Sequence, residues 1–93
     1  MALQKILLDV EMIDGTIHEN IRVIVADMIR HSEVAQRHKW PTNITDDPMR
    51  AAAFYAYAAM TRLGTYPKGK GFDDFVNEVA MIEADGLGEE VNP

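Results

Sequence analysis

The strongest constraint on how this chain folds lies in its first quarter. Over Ile6–Met12, residues Ile6, Leu8, Val10 and Met12 point one way and Leu7, Asp9 and Glu11 the other, the period-two pattern of a half-buried strand. Asp14-Gly15 follows, the strongest short-range hairpin signal, because a type I′ turn needs positive φ at both central residues. Residues 17–25 then supply a second strand. With Asp14 and Gly15 as the loop, Met12 faces Ile17, Val10 faces Glu19, Leu8 faces Ile21 and Ile6 faces Val23, and three of these four pairs are apolar. Turn chemistry and hydrophobic pattern thus select one register. A lone hairpin is marginal in water, so its apolar face must be covered. The fold class that follows is α+β: an N-terminal antiparallel β-hairpin with about three α-helices packed on it.

Helix signals fill the remainder. Asp27 is placed to cap a first helix running to about Lys39. Met28, Ile29, Ser32 and Ala35 form its inner stripe, with Arg30, His31, Gln36 and Arg37 outside. Trp40-Pro41 ends it, since a residue before proline avoids helical geometry. Asp46-Asp47-Pro48 opens a second helix that runs to Leu63 and stops at Gly64. Asp73 or Asp74 opens a third, whose stripe is Phe72, Phe75, Val76, Val79 and Ile82. From Asp85 the core pattern is lost. The chain has 93 residues, enough for one core. It reads as a single domain over residues 1–84, with the hairpin at 6–25 and the helical part at 27–84, followed by an acidic, disordered, flexible tail at 85–93.

Composition narrows the functional classes. There is no cysteine, so disulfides and thiolate metal sites are excluded, and a reducing, cytosolic compartment fits. The formal net charge is −6, from 9 basic and 15 acidic residues. Seven of the acids (Asp73, Asp74, Glu78, Glu83, Asp85, Glu89 and Glu90) fall in residues 72–93, which contain no Lys or Arg. That argues against binding nucleic acid, which needs clustered cations. The longest uncharged stretch, residues 51–61, falls far short of the ~20 apolar residues a membrane span requires. The early Asp9 and Glu11 do not suit a signal peptide.

Chemical signatures are sparse. His31 and His38 lie seven apart on one helix with Glu33 nearby. They read either as metal ligands or as solvated histidines on a charged helix, the second fitting better because no HExxH-like spacing accompanies them. The adjacent acids Asp46-Asp47 and Asp73-Asp74 do not face each other on a helix and are explained by capping. Ser32, the single serine, has no evident base–acid pair. The chain therefore reads as no enzyme, with no catalytic, cofactor-binding or metal-ligating residues and no cofactor.

The second helix carries the most information. At 100° per residue, Met49, Ala52, Ala53, Ala56, Met60 and Leu63 fall on one face, while Ala51, Phe54, Tyr55 and Ala58 occupy most of the other. A helix apolar nearly all round is buried on two sides. Two readings are open. In one, the helix is wedged between the hairpin and another helix. In the other, Phe54 and Tyr55 form an exposed patch on a floor of Ala51 and Ala58, joined by Trp40, that receives a partner helix or a second copy.

The pattern resembles the tail assembly chaperones of long-tailed phages with non-contractile tails, in particular the short product made upstream of a translational frameshift. The features that carry the resemblance are the strand, Asp-Gly-Thr, strand hairpin of residues 7–25, then Ala26-Asp27-Met28-Ile29-Arg30 with Glu33, and Trp40-Pro41. They continue with Asp47-Pro48 before FYAYAAMTRLG, Gly71-Phe72-Asp73-Asp74-Phe75, and the acidic ending Glu89-Glu90-Val91-Asn92-Pro93. The resemblance implies a non-enzymatic role in the host-cell cytoplasm. Such a protein coats the long tape measure protein, keeps it soluble until tail tube subunits polymerise around it, and is absent from the mature virion. Implied partners are the tape measure protein, tail tube subunits, a longer frameshifted form and a homo-oligomer. The competing classes are a small connector or tail-tip protein retained in the virion, and a small acidic adaptor or antitoxin-like regulator.

Overall fold

The computed structural model describes residues 5–41 and 45–85. The elements in chain order are β1 (Ile6–Met12), β2 (Ile17–Val23), α1 (Val25–His38), α2 (Pro48–Leu63), α3 (Phe72–Glu78) and β3 (Val79–Asp85). The strands form one antiparallel sheet in the order β2-β1-β3. Helix α2 packs against the sheet, and α1 packs against α2. The class is α+β, with an N-terminal hairpin and three helices.

The hairpin forms, with a different turn. The Gly15 N–H donates to the Met12 carbonyl at 2.9 Å and the Met12 N–H to the Thr16 carbonyl at 2.8 Å. Gly15 has φ +93° while Asp14 does not enter the left-handed region. This is a three-residue loop with glycine at its left-handed position, not a type I′ turn. The Asp14 carboxylate accepts from the Thr16 N–H at 2.9 Å, which holds its pKa below the ordinary carboxylate value.

The longer loop shifts the pairing next to it, so that Glu11 faces Ile17 and Val10 faces His18. A bulge then restores the expected register, with Leu8 opposite Ile21 and Ile6 opposite Val23. At the bulge Asn20 adopts φ +58°, and its N–H donates to the Asp9 carboxylate at 2.9 Å. Without that extra residue Ile21 and Val23 would turn outward. The displaced residue is Ile17, expected opposite Met12 on the core face but paired with Glu11 and largely exposed.

Helix α2 matches its local signals. The Asp47 side chain accepts from the Arg50 N–H, Pro48 occupies the first turn, and Gly64 terminates the helix at φ +85°. The helix is wedged. Ala56, Ala59 and Met60 join Leu8, Val10, Ile21, Val23 and Phe75 in the sheet-side core, each large side chain worth about 1.5–3 kcal/mol when buried. Ala51, Phe54 and Ala58 are buried as well.

Two expectations are corrected. In α1, His31 lies inside at 3% exposure, while Ile29 lies outside. The cause is aromatic packing: His31 meets Phe54 at 5.8 Å and Tyr55 at 5.3 Å between ring centroids. The third helix is also shorter than expected. It ends at Glu78, and Val79 turns to extended geometry (φ −99°, ψ 133°). The chain returns as β3, so the region 27–84 is not wholly helical and Asp85 belongs to a strand. Val79-Ala80-Met81-Ile82 is an unbroken apolar run, which periodicity assigns equally to helix or strand. The free edge of β1 decides it, because β3 supplies backbone partners there that a continuing helix could not. The acidic segment 86–93 lies outside the described residues.

An ion pair locks the hairpin to both long helices. Asp27, at the third position of α1, accepts from the Ile24 N–H at 3.0 Å. Its carboxylate also receives Arg62 Nε at 3.2 Å and an Arg62 terminal nitrogen at 3.0 Å. The same guanidinium donates to the Arg22 carbonyl at 2.9 Å. Asp27 therefore caps from inside the helix rather than from its first flanking residue.

Candidate partner-binding surface

The proposed aromatic patch is not a surface. Phe54 is 2% exposed and Tyr55 6%. Ala51 and Ala58 are buried beside them. Burial raises the Tyr55 pKa. Tyr55 joins the sheet-side core cluster, and Phe54 is covered by His31 of α1, Trp40 and Phe72 of α3, the last at 5.1 Å between ring centroids. Trp40 is half-buried. It stacks on His38 at 5.2 Å, meets Phe54 at 6.3 Å and Phe72 at 5.6 Å, and carries the Arg50 guanidinium at 5.1 Å from its ring centre. The site residues named from sequence are thus brought together, but as packing.

Exposed apolar surface occurs elsewhere. The first turns of α2, the outer side of α3 and strand β3 enclose an open groove of about 280 Å³. Phe75 forms its floor, with Met49, Ala53, Val76, Val79, Ala80, Met81 and Ile82 around it. No lining side chain is charged or polar. Met49 is 68% exposed, Met81 55% and Val76 48%. Met49 belongs to the α2 face that also holds Ala52, Ala56 and Met60, but it stands exposed at the start of the helix, where Ala56 and Met60 further along are buried. Val76 and Met81 were assigned to a helix longer than α3, so the groove that they line was not readable locally.

The outer face of the sheet has a different character. Asp9, Glu11, Glu19 and Glu83 surround a shallow depression there, with Ile17 and Met81 between them. The pairs Asp9–Glu83 and Glu11–Met81 put these side chains on one face. Met81 borders both this face and the groove.

Remaining titratable groups are structural. The Tyr66 hydroxyl donates to Glu78 at 3.0 Å, and Lys70 Nζ pairs with the other Glu78 oxygen at 2.8 Å. Burial, then the Glu78 contact, push the Tyr66 pKa up to about 12. The Lys70 contact, then Tyr66, lower that of Glu78, and Glu78 raises that of Lys70. This cluster ties the loop between α2 and α3 to the end of α3. Burial lowers the His31 pKa, opposed by the charge of Asp47. His31 is inside while His38 is exposed. Among the described residues no group of three or more His, Asp or Glu side chains could hold a metal ion, and no helix is long and apolar enough to cross a membrane. Comparison of the chain with known protein families, with curated proteins and with solved structures gives no match.

Proposed function

We propose that this protein is a non-enzymatic binding protein that acts in phage tail assembly, holding the tape measure protein soluble until tail tube subunits polymerise around it. The observation that supports this reading is the apolar groove between Met49, Val76 and Met81. Grooves lined by apolar side chains are where the apolar faces of amphipathic partner segments dock. The sequence resemblance supplies the identity of the client. The client surface is the groove rather than Phe54, Tyr55, Ala51 and Ala58, which are buried. Binding of this kind uses no cofactor and places the protein in the host-cell cytoplasm. Tube subunits or a longer frameshifted form displace or extend the complex.

Co-expression with the tape measure protein tests the reading. The doubly substituted Met49→Asp, Val76→Asp chain keeps its circular dichroism spectrum, because both positions are exposed, yet the soluble fraction of client falls to the level seen without the protein. Undiminished client solubility would overturn the assignment of the groove. Detection in purified virions at structural copy number would overturn the chaperone role in favour of a retained connector.

A further inference from the structure

Among the described residues the sheet has two unpaired edges, β2 and β3, and they differ. Along β2 the edge is broken by the bulge at Asn20, and the Arg62 guanidinium donates to the Arg22 carbonyl. Such interruptions discourage strand addition. Strand β3 shifts register once, at Ala80 near its start, where Met12 pairs with Val79 and Glu11 with Met81, and from there it pairs with β1 through five successive residues, Met81 to Asp85. It contains no proline and no lysine, and among the described residues no side chain bonds to its backbone. The apolar groove opens beside this edge on the helix side, and the acidic face lies on the other side.

We infer that β3 is a docking strand, which takes up by β-augmentation an extended segment of another protein in which apolar side chains alternate with Lys or Arg. Added beside β3, such a segment gains main-chain hydrogen bonds along the edge. Its alternate side chains point to opposite faces. One set enters the groove over Met49, Val76 and Val79. The other set lies level with Asp9, Glu11 and Glu83, where every charged side chain on the β1 and β3 rows 9–11 and 81–83 is a carboxylate. Charge complementarity selects this occupant over a second copy, since pairing β3 with itself would join two acidic faces. The inference needs the groove to be a docking surface; it does not need the partner to be a tape measure protein.

The test uses the full chain, isotope-labelled, and three synthetic peptides of seven residues, the length of β3: alternating Lys and Val, alternating Glu and Val, and the Lys-Val composition arranged as an amphipathic helix. The alternating basic peptide is expected to bind at least tenfold more tightly than either control, and to slow hydrogen exchange of the outward-facing β3 amides while leaving β2 unchanged. Its affinity falls as salt is raised, falls severalfold with Glu83→Lys, and falls at least tenfold with Val76→Asp. Equal affinity for the acidic or helical peptide would overturn the inference, as would protection of β2. So would outward β3 amides already protected in the free chain: concentration-dependent protection assigns the edge to a second copy, and concentration-independent protection to residues 86–93. Loss of peptide binding with client capture intact rejects the docking strand alone. Retained peptide binding without client capture rejects the phage reading alone.

Discussion

The β2 side of the molecule and the β3 side are finished differently. On the β2 side, α2 lies over the sheet and α1 lies over α2, so Tyr55 and His31 are sealed, and Phe54 is closed over by His31 together with Trp40 and Phe72. The Asp27–Arg62 pair closes the end where the three elements meet. On the β3 side, only the seven-residue α3 and the first turns of α2 are at hand, and Met49, Val76 and Met81 stay exposed around a groove. The difference shows that aromatic content is a poor guide to a contact surface in a small domain. The large rings are drawn into the layer that two elements can cover, and smaller apolar side chains remain where only one element is present.

Substitution on the two sides tests that contrast. Phe54→Ala should cost about 3–5 kcal/mol, the usual penalty for a large void in a core, while Val76→Ala should cost less than about 0.5 kcal/mol. Urea denaturation midpoints of the two variants would expose any error, because similar losses would mean that the sides are not differently packed. For the same reason Phe54→Asp and Tyr55→Asp are expected to unfold the domain and cannot report on client binding.

Arg62→Met comes next in size. It strands the carboxylate of Asp27, whose side chain is only 3% exposed. The expected loss is about 2–3 kcal/mol, at or below the low end for breaking a buried pair because Arg62 is itself partly solvated. Adding Asp27→Ala should restore part of the loss. A double variant no better than the sum of the singles would mean that the pair is not coupled.

A smaller effect is expected at the bulge that protects β2. Asn20→Val should lower stability by about 1–2 kcal/mol, the cost of left-handed backbone for a side chain branched at Cβ, whereas Asn20→Gly should be nearly neutral. Thermal midpoints would distinguish these outcomes, and an unchanged midpoint for the valine variant would show that β2 can straighten. Least affected of all is Met81→Ala, within about 0.5 kcal/mol of the parent. Its signature is weaker binding of a solvatochromic dye, and a dye signal unchanged by this substitution would mean that the groove is not the apolar surface in solution.

Several features were legible from short stretches of chain. Asp47-Pro48 and Gly64 bound α2 as expected, since a cap, a proline in the first turn and a left-handed terminator act within one helical turn. The far half of the hairpin register was legible from Ile6, Leu8, Ile21 and Val23. The near half was misread because Asp-Gly serves two loop lengths, and the choice of the longer one becomes visible only with the bulge at Asn20. His31 and Ile29 were exchanged between the faces of α1 because hydrophobicity ranks isoleucine as the inner residue, while the rings of Phe54 and Tyr55 accept an imidazole edge.

The candidate surface was legible only in outline. An α2 apolar all round did announce more greasy surface than one neighbour could cover, and the wedge between sheet and α1 answers most of it. What remained open at Met49 depends on where α1 and the sheet stop. Residues close in sequence settled the existence of the hairpin, both ends of α2 and the sign of the charge, because capping, turn geometry and side-chain period act over a few residues. Whether Val79–Asp85 became helix or strand, and hence where the groove and the free edge lie, was settled by β1. Its unpaired backbone lies more than sixty residues away along the chain, and its hydrogen-bonding demand leaves no trace in the local pattern of the segment that meets it.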